Sequence, residues 1–350
     1  MRIYAVWLLV ALAAFTAFMG TAHSQEIVDL YSSIESADAT VEGDAMGYVL
    51  RLDLISKGDV LQTRNLALDG PGTWIARWTG FNAEEGSYDV CASLWKNNTA
   101  VSRRCYDFFY GGPTPVRFDV RDFYADSRGM HLSISGRDPT IVDIYYMLFT
   151  GNKALYVSRD KAVPISGGLA APTQIDYAWK QILEDNREYT GRVKIVELSH
   201  NQTRAFMNSF VALDDARITE TYEDEIGASA TVLGNSRVPF EGTLRFELSQ
   251  NGTLLTSVEK KTPVLLTGDD ETVEISWNRT LDPGIYQLSI VLLGNDGDIR
   301  DVEESIIEAE PVSRPVNNTT AEAQAQESPL PAAAGLIALA AAAMIGRRRG

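Results

Sequence analysis

The chain has 350 residues and a formal net charge of −16, from 47 acidic against 31 basic side chains. A surface of that sign repels phosphate backbones, which argues against nucleic-acid binding. With two cysteines and three histidines in the whole chain, a zinc site would be short of ligands.

The N-terminus, "MRIYAVWLLVALAAFTAFMGTAHSQ", has one charge, Arg2, and then an apolar run. Small residues at Ala22 and Ser24 precede Gln25, so residues 1–24 read as a secretory signal. An uncleaved anchor is the alternative, although the run is short for a span of about 20 residues.

Three segments then line up with one another. They are "TWIARWTGFNAEEGSYDVCASLW", "QIDYAWKQILEDNREYTGRVKIVEL" and "TVEISWNRTLDPGIYQLSIVLL". Each holds an alternating strand ending in tryptophan (Trp78, Trp179, Trp277). A turn-rich stretch follows, and then a tyrosine opens a second alternating strand (Tyr88, Tyr189, Tyr286). Trp74, Ala76 and Trp78 share one face of the first such strand, and Val90, Ala92 and Leu94 share one face of the second. Period-two patterning of this kind marks strands with one buried face. The repeat spacing of about 100 residues is the size of one β-sandwich.

The fold class is therefore all-β, with three tandem immunoglobulin-like β-sandwiches over residues 26–112, 113–213 and 214–311. Few residues remain as linkers, so consecutive sandwiches should abut. The tyrosine at the start of the penultimate strand of each resembles the tyrosine corner of immunoglobulin-like domains. In the second unit, "KAVPISGGLAAPTQ" reads as a long Pro/Gly loop where binding could reside.

Cys91 and Cys105 are placed symmetrically about Asn98 in "YDVCASLWKNNTAVSRRCYDFF". An antiparallel hairpin turning there sets them opposite each other. In a secreted chain such a pair is a disulfide, here pinning one hairpin instead of crossing between sheets. The repeat register aligns Cys91 with Arg192 and Ser289, both polar, so Cys91 is expected on the outward face. Trp95, Phe109 and Arg103 are expected on that face too.

Sequons for N-glycosylation occur at Asn97, Asn201, Asn251 and Asn278, and at Asn317 and Asn318 nearer the C-terminus. Every one falls in a predicted turn or in the stalk described below. Catalytic signals are poor. His131 alternates with apolar residues in a predicted strand, and His200 sits in a turn. No Ser-His-Asp set, phosphate loop or HExxH motif can be assembled. Carboxylates cluster at Glu84-Glu85, Asp214-Asp215, Glu223-Asp224-Glu225, Asp269-Asp270-Glu271 and Asp296 with Asp298, all in turns. They read as solvated turn residues, with no metal or other cofactor. The alternatives are calcium at Asp269-Asp270-Glu271 or Asp296-Gly297-Asp298, and a carboxylate-dependent hydrolase.

After the third unit, "AEPVSRPVNNTTAEAQAQESP" lacks aromatics and reads as a flexible stalk, residues 312–329. Residues 330–346 are apolar, and Arg347, Arg348 and Arg349 follow. A helix of that length reaches about 25 Å, slightly short of the ~30 Å hydrocarbon core. The order of folded part, polar stalk, short apolar helix and arginine cluster resembles archaeal cell-surface proteins with a C-terminal sorting tail. In that family an archaeosortase removes the tail and attaches a lipid. "SPLPAAAG" stands where the family carries Pro-Gly-Phe. The resemblance implies an extracellular protein held at the membrane by residues 330–350 or by a lipid.

Taken together, these features describe a membrane-anchored, N-glycosylated surface protein with a structural or adhesive role. Its partners would be cell-envelope proteins or glycans. The alternative is an extracellular binding module for a carbohydrate, peptide or solute, built on the loops of the second sandwich.

Overall fold

The computed structural model describes residues 25–111, 117–168, 172–200 and 202–310. The signal segment, stalk and apolar tail lie outside them, as do Asn201, Asn317 and Asn318. The described residues form strands, turns and loops and no helix, so among them nothing helical is long and apolar enough to cross a membrane.

The first seven strands are β1 (Glu26–Ser32), β2 (Ser36–Glu42), β3 (Val49–Ser56), β4 (Asp59–Ala67), β5 (Gly72–Arg77), β6 (Gly86–Lys96) and β7 (Thr99–Tyr110). The next seven are β8 (Phe118–Ala125), β9 (Gly129–Gly136), β10 (Thr140–Thr150), β11 (Lys153–Ile165), β12 (Thr173–Ala178), β13 (Glu188–Glu197) and β14 (Gln202–Val211). The last seven are β15 (Ala216–Glu223), β16 (Gly227–Gly234), β17 (Thr243–Gln250), β18 (Thr253–Lys261), β19 (Asp270–Ser276), β20 (Gly284–Leu293) and β21 (Ile299–Ala309).

Each group of seven repeats one topology. Its first, second and fifth strands form one sheet, and its fourth, third, sixth and seventh form the other. The pairs within each sandwich are antiparallel, and its two sheets enclose one apolar core. Alternation builds these cores. In β17, Leu244, Phe246 and Leu248 point inward and are fully buried, while Thr243, Arg245 and Glu247 alternate outward.

The repeated tryptophan and tyrosine close each sandwich in the same way. Tyr88 donates its hydroxyl to the Glu84 carbonyl at 2.7 Å, and Tyr286 to the Asp282 carbonyl at 2.8 Å. Tyr189 accepts from the Glu184 amide at 3.0 Å. These are tyrosine corners, as the resemblance implied. Each tryptophan donates its indole N–H across to the end of the group's first strand. The acceptors are Ser32 Oγ for Trp78, the Asp126 carbonyl for Trp179 and the Asp224 carbonyl for Trp277.

That turn between first and second strands is itself repeated. Asp126 Oδ1 takes the amides of Arg128 and Gly129, and Asp224 Oδ1 takes those of Ile226 and Gly227. These are Asx turns. In the first sandwich Ser33 substitutes, accepting from the Glu35 amide.

Two expectations need correction. Strand takes both ends of "KAVPISGGLAAPTQ": residues 161–165 continue β11, and Thr173 and Gln174 open β12. Pro164 sits in β11 because most of that strand is a sheet edge, where a missing N–H costs nothing, and Ile165 is buried in the core. Secondly, the cysteine hairpin does not turn on Asn98 alone. A bulge between Leu94 and Trp95 shifts the register, so the turn is Asn97-Asn98, both with positive φ (49° and 61°).

Gly191 marks a local constraint. It occupies the repeat position held by Val90 and Leu288. A Cβ there would lie 2.4 Å from the Ala125 Cβ and 3.6 Å from the Trp179 ring. Gly191→Val should therefore overpack the second core and destabilise it by about 1–3 kcal/mol, read by chemical denaturation.

Candidate functional site

One outer face of each of the first two sandwiches is covered by the other. The outer face of β1-β2-β5 packs on the outer face of β11-β10-β13-β14, and the two sheets join edge to edge into one of seven strands. The junction is a single pair, Lys153 with Trp74, reinforced by two bonds at 2.8 Å between Ile75 and Asn152.

The interface has an apolar half and a charged half. Ile75, Met147 and Phe149 form a small buried cluster of their own, flanked by Tyr145, Ala154 and Met207. Beside it lies Asp38, which is 0% exposed. Asp38 Oδ1 receives Arg192 Nε at 3.0 Å and Nη2 at 2.6 Å, and Asp38 Oδ2 receives Lys194 Nζ at 2.9 Å. Arg192 also reaches Ser36 Oγ, and Lys194 reaches Asp29 Oδ2 at 2.7 Å. Both cations approach the ring of Tyr31. Two positive and two negative groups thus cancel.

Burial alone would raise the Asp38 carboxyl, but Arg192 and Lys194 outweigh it and hold it below its ordinary range. Burial likewise opposes the charge on Lys194, and Asp38 and Asp29 raise it overall. Neither group is left to take or give a proton near neutrality. The arrangement fastens two sandwiches and supplies no acid or base.

The register aligned Arg192 with an outward polar position. It does face away from its own core, but at 1% exposure it is buried against the neighbouring sandwich. The signal for this lies in β10, "TIVDIYYMLFT". Its near-continuous apolar run marks a strand covered on both faces.

Cys91 and Cys105 form a disulfide across β6 and β7, with Cα atoms 4.1 Å apart. That spacing suits a narrow, non-hydrogen-bonded pair. Cys91 is on the outer face as the alternation requires, yet it is buried, with Arg103 Nη2 3.6 Å from its sulfur. Cys105 is exposed. Trp95 is half-buried and donates Nε1–H to Ser93 Oγ at 2.9 Å, while Phe109 is exposed. An open groove of about 590 Å³ runs beside Trp95, lined also by Val49, Arg51, Asn65, Asn97 and Asn98.

The other singled-out residues lie apart from one another. Asn97, Asn251 and Asn278 are exposed, the first two within hairpin turns. His131 Nδ1 meets Asp176 at 2.7 Å and its ring stacks on Tyr124. Asp214 is buried against Arg300 and the Asn295 amide, Asp215 pairs with Arg128, and Asp296 Oδ1 takes the Asp298 amide. Asp269 Oδ2 takes the Leu266 amide. Among the described residues, no three or more His, Cys, Asp and Glu side chains converge where they could hold a metal ion.

Sequence reading missed two carboxylates. Asp143 is buried in β10 and holds the Ala162 amide and the Arg159 guanidinium, which fixes a bulge where Ala162 has φ 55°. Glu197 is buried at the end of β13. It accepts from the Thr140 hydroxyl, the Ser199 and His200 amides and the His200 ring. Burial opposes its charge, but those donors win and bring its pKa down to about 2.

No protein-family model and no curated protein sequence matches the chain. Among solved structures, it is similar to the tetra-tandem repeat in the extending region of a large adhesion protein. Identity there is 9% and the TM-score 0.25, over 82% of this chain and 74% of that one. It is also similar to trypsin-activated α2-macroglobulin from Escherichia coli (12%, TM-score 0.22, 84% of this chain and 24% of that one). A Salmonella α2-macroglobulin gives 12% and 0.21, over 83% and 23%. The chain thus spans about a quarter of the macroglobulins' length.

Truncating Arg192 to Ala removes both hydrogen bonds that the buried Asp38 Oδ1 receives from the guanidinium. Breaking a buried pair in this way costs about 3–5 kcal/mol. The loss should fall on the first two sandwiches, and exchange-protection mapping across β2 and β13 would locate it. The double variant Asp38→Ala/Arg192→Ala should recover part of it. Glu197 predicts an acid limb. A depressed folded pKa stabilises fully above the ordinary value of 4.5, and that stability disappears as pH falls toward about 2. Glu197→Gln should flatten the stability profile over that window in an acid denaturation series.

Proposed function

We propose that this protein is an extracellular structural or adhesive element of the cell surface, secreted by residues 1–24 and held at the membrane by residues 330–350. Cell-envelope proteins or glycans are its partners, and glycans are carried on its exposed turns. It needs no cofactor and is not an enzyme. The observation that carries this reading is the buried joint between the first two sandwiches. Its charges are fully paired, so the burial of ionisable groups there goes to holding domains together and leaves none poised for proton transfer. Asp143 and Glu197 follow the same logic, each saturated by donors that shape a bulge or a turn.

Other features support the same reading. The disulfide suits an oxidising compartment. The second and third sandwiches are also tied. Val238, from the loop between β16 and β17, is buried with the second core, and the Arg237 amide reaches the Ser127 carbonyl at 2.9 Å. The loop on which the binding-module alternative was built is shortened at its two ends, where residues 161–165 and 173–174 run as strand.

Intact-mass analysis of the protein from its native host tests this. The expected species lacks residues 1–24, is two hydrogens lighter for the disulfide, and carries glycan increments. A full-length, unmodified chain with free thiols, recovered from the soluble cell interior, would overturn the assignment.

A further inference from the structure

The groove beside Trp95 has an occupant that the chain can supply itself. We infer that an N-linked glycan on Asn97 folds back into this groove, with its first sugars stacked on Trp95 and hydrogen-bonded by Arg51 and Asn65. The inference rests on the glycoprotein reading above and adds a docking site for the sugar.

Placement comes from the hairpin. The bulge pairs Trp95 with Ala100 and Lys96 with Thr99, closing a two-residue turn of Asn97 and Asn98. Both turn residues are left-handed, and Asn97 is exposed. Trp95 precedes Asn97 by two positions and Thr99 follows it by two, so indole, amide and hydroxyl crowd one end of the hairpin. A sugar joined to the Asn97 amide starts at the groove's lip, because Asn97 is itself part of its lining.

The chemistry of the lining suits a saccharide. The indole N–H is already satisfied by Ser93, so what the half-buried ring has left to offer is apolar surface. The apolar C–H face of a pyranose is a match for that surface. Asn65, exposed on β4, makes no side-chain hydrogen bond among the described residues, and Arg51 spends its Nε on Asp53. Both have N–H groups left for sugar hydroxyls. A volume of about 590 Å³ is within the ~300–1,000 Å³ usual for small-molecule sites.

The molecule contains its own control. The β17–β18 hairpin has the same bulge and the same two-residue turn, at Asn251-Gly252, and Asn251 has φ 50°. There Ser249 stands where β6 has Trp95. A glycan on Asn251 would meet no aromatic ring at that position.

The test uses the full chain, produced in a secretory host that attaches N-glycans, with site occupancy read by glycopeptide mass spectrometry. Trimming to the first sugar and then removing it should shift the Trp95 indole NMR resonance, assigned with Trp95→Phe. Glycan at Asn97 should raise the thermal midpoint by about 2–4 °C over Asn97→Gln. The gain should vanish in Trp95→Ala, persist in Trp95→Phe and be missing for Asn251. An occupied Asn97 with an unmoved indole signal and an unchanged midpoint would overturn the inference. So would an empty Asn97 beside an occupied Asn251 or Asn278. A free oligosaccharide that shifts the Trp95 signal in Asn97→Gln as strongly would assign the groove to an external ligand instead. Bare asparagines at every sequon would remove the glycoprotein reading and this inference together.

Discussion

The contact on which the molecule depends is Asp38 between Arg192 and Lys194. One carboxylate from β2 is removed from water and receives two cations from β13 of the next sandwich. Desolvating one such ion without a partner costs several kcal/mol. The geometry is therefore close to obligatory: either sandwich alone would expose or strand a charge that the other satisfies. Ile75, Met147 and Phe149 add a directionless apolar contribution, whereas the ion set fixes the register of one sheet against the other.

From that contact the rest of the first two sandwiches can be read outward. The strands that meet at the joint are apolar or neutralised on both faces, which is why β2, β5, β10 and β13 are buried almost throughout. Strands away from it, such as β4, β7 and β18, keep an exposed face and a charged exterior. The hairpin that carries the disulfide lies among these. Its stability comes from Cys91–Cys105 and from aromatic neighbours, including Tyr88 stacked on Phe108.

Much of the architecture was legible in the sequence. Period-two patterning and the tripled Trp-Tyr spacing placed the strand pairs, because both report local geometry: a pleat with one buried face, and a corner closed within four or five residues. The cysteine pairing was legible for the same reason. What escaped was everything set by contact between sandwiches. Arg192 looked like an ordinary outward residue of "GRVKIVEL", since β13 itself carries no record of its cover and only the apolar run of the neighbouring β10 does. Asp38, between Ala37 and Ala39, gave no hint of its cover, since both alanines point into their own core. Glu197 and Asp143 were hidden because their donors are partly backbone amides, which every residue has, and partly side chains distant in sequence, Thr140 and Arg159. The "DSRG" and "DEIG" turns were visible as text, and only their shared position before a second strand gives them meaning.

The seven-stranded sheet bears on how such a chain can change over evolutionary time. Repeat proteins commonly grow or shrink by gaining or losing single units. Here the first two units share a strand junction, an apolar cluster and a neutralised charge set, with half of each contributed by either side. A duplication or deletion that cuts between them would leave Asp38 or Arg192 without its complement. The heritable module is then the pair, and the third sandwich, joined through Val238, backbone contacts and the more exposed Arg128–Asp215 pair, is the one that can be exchanged.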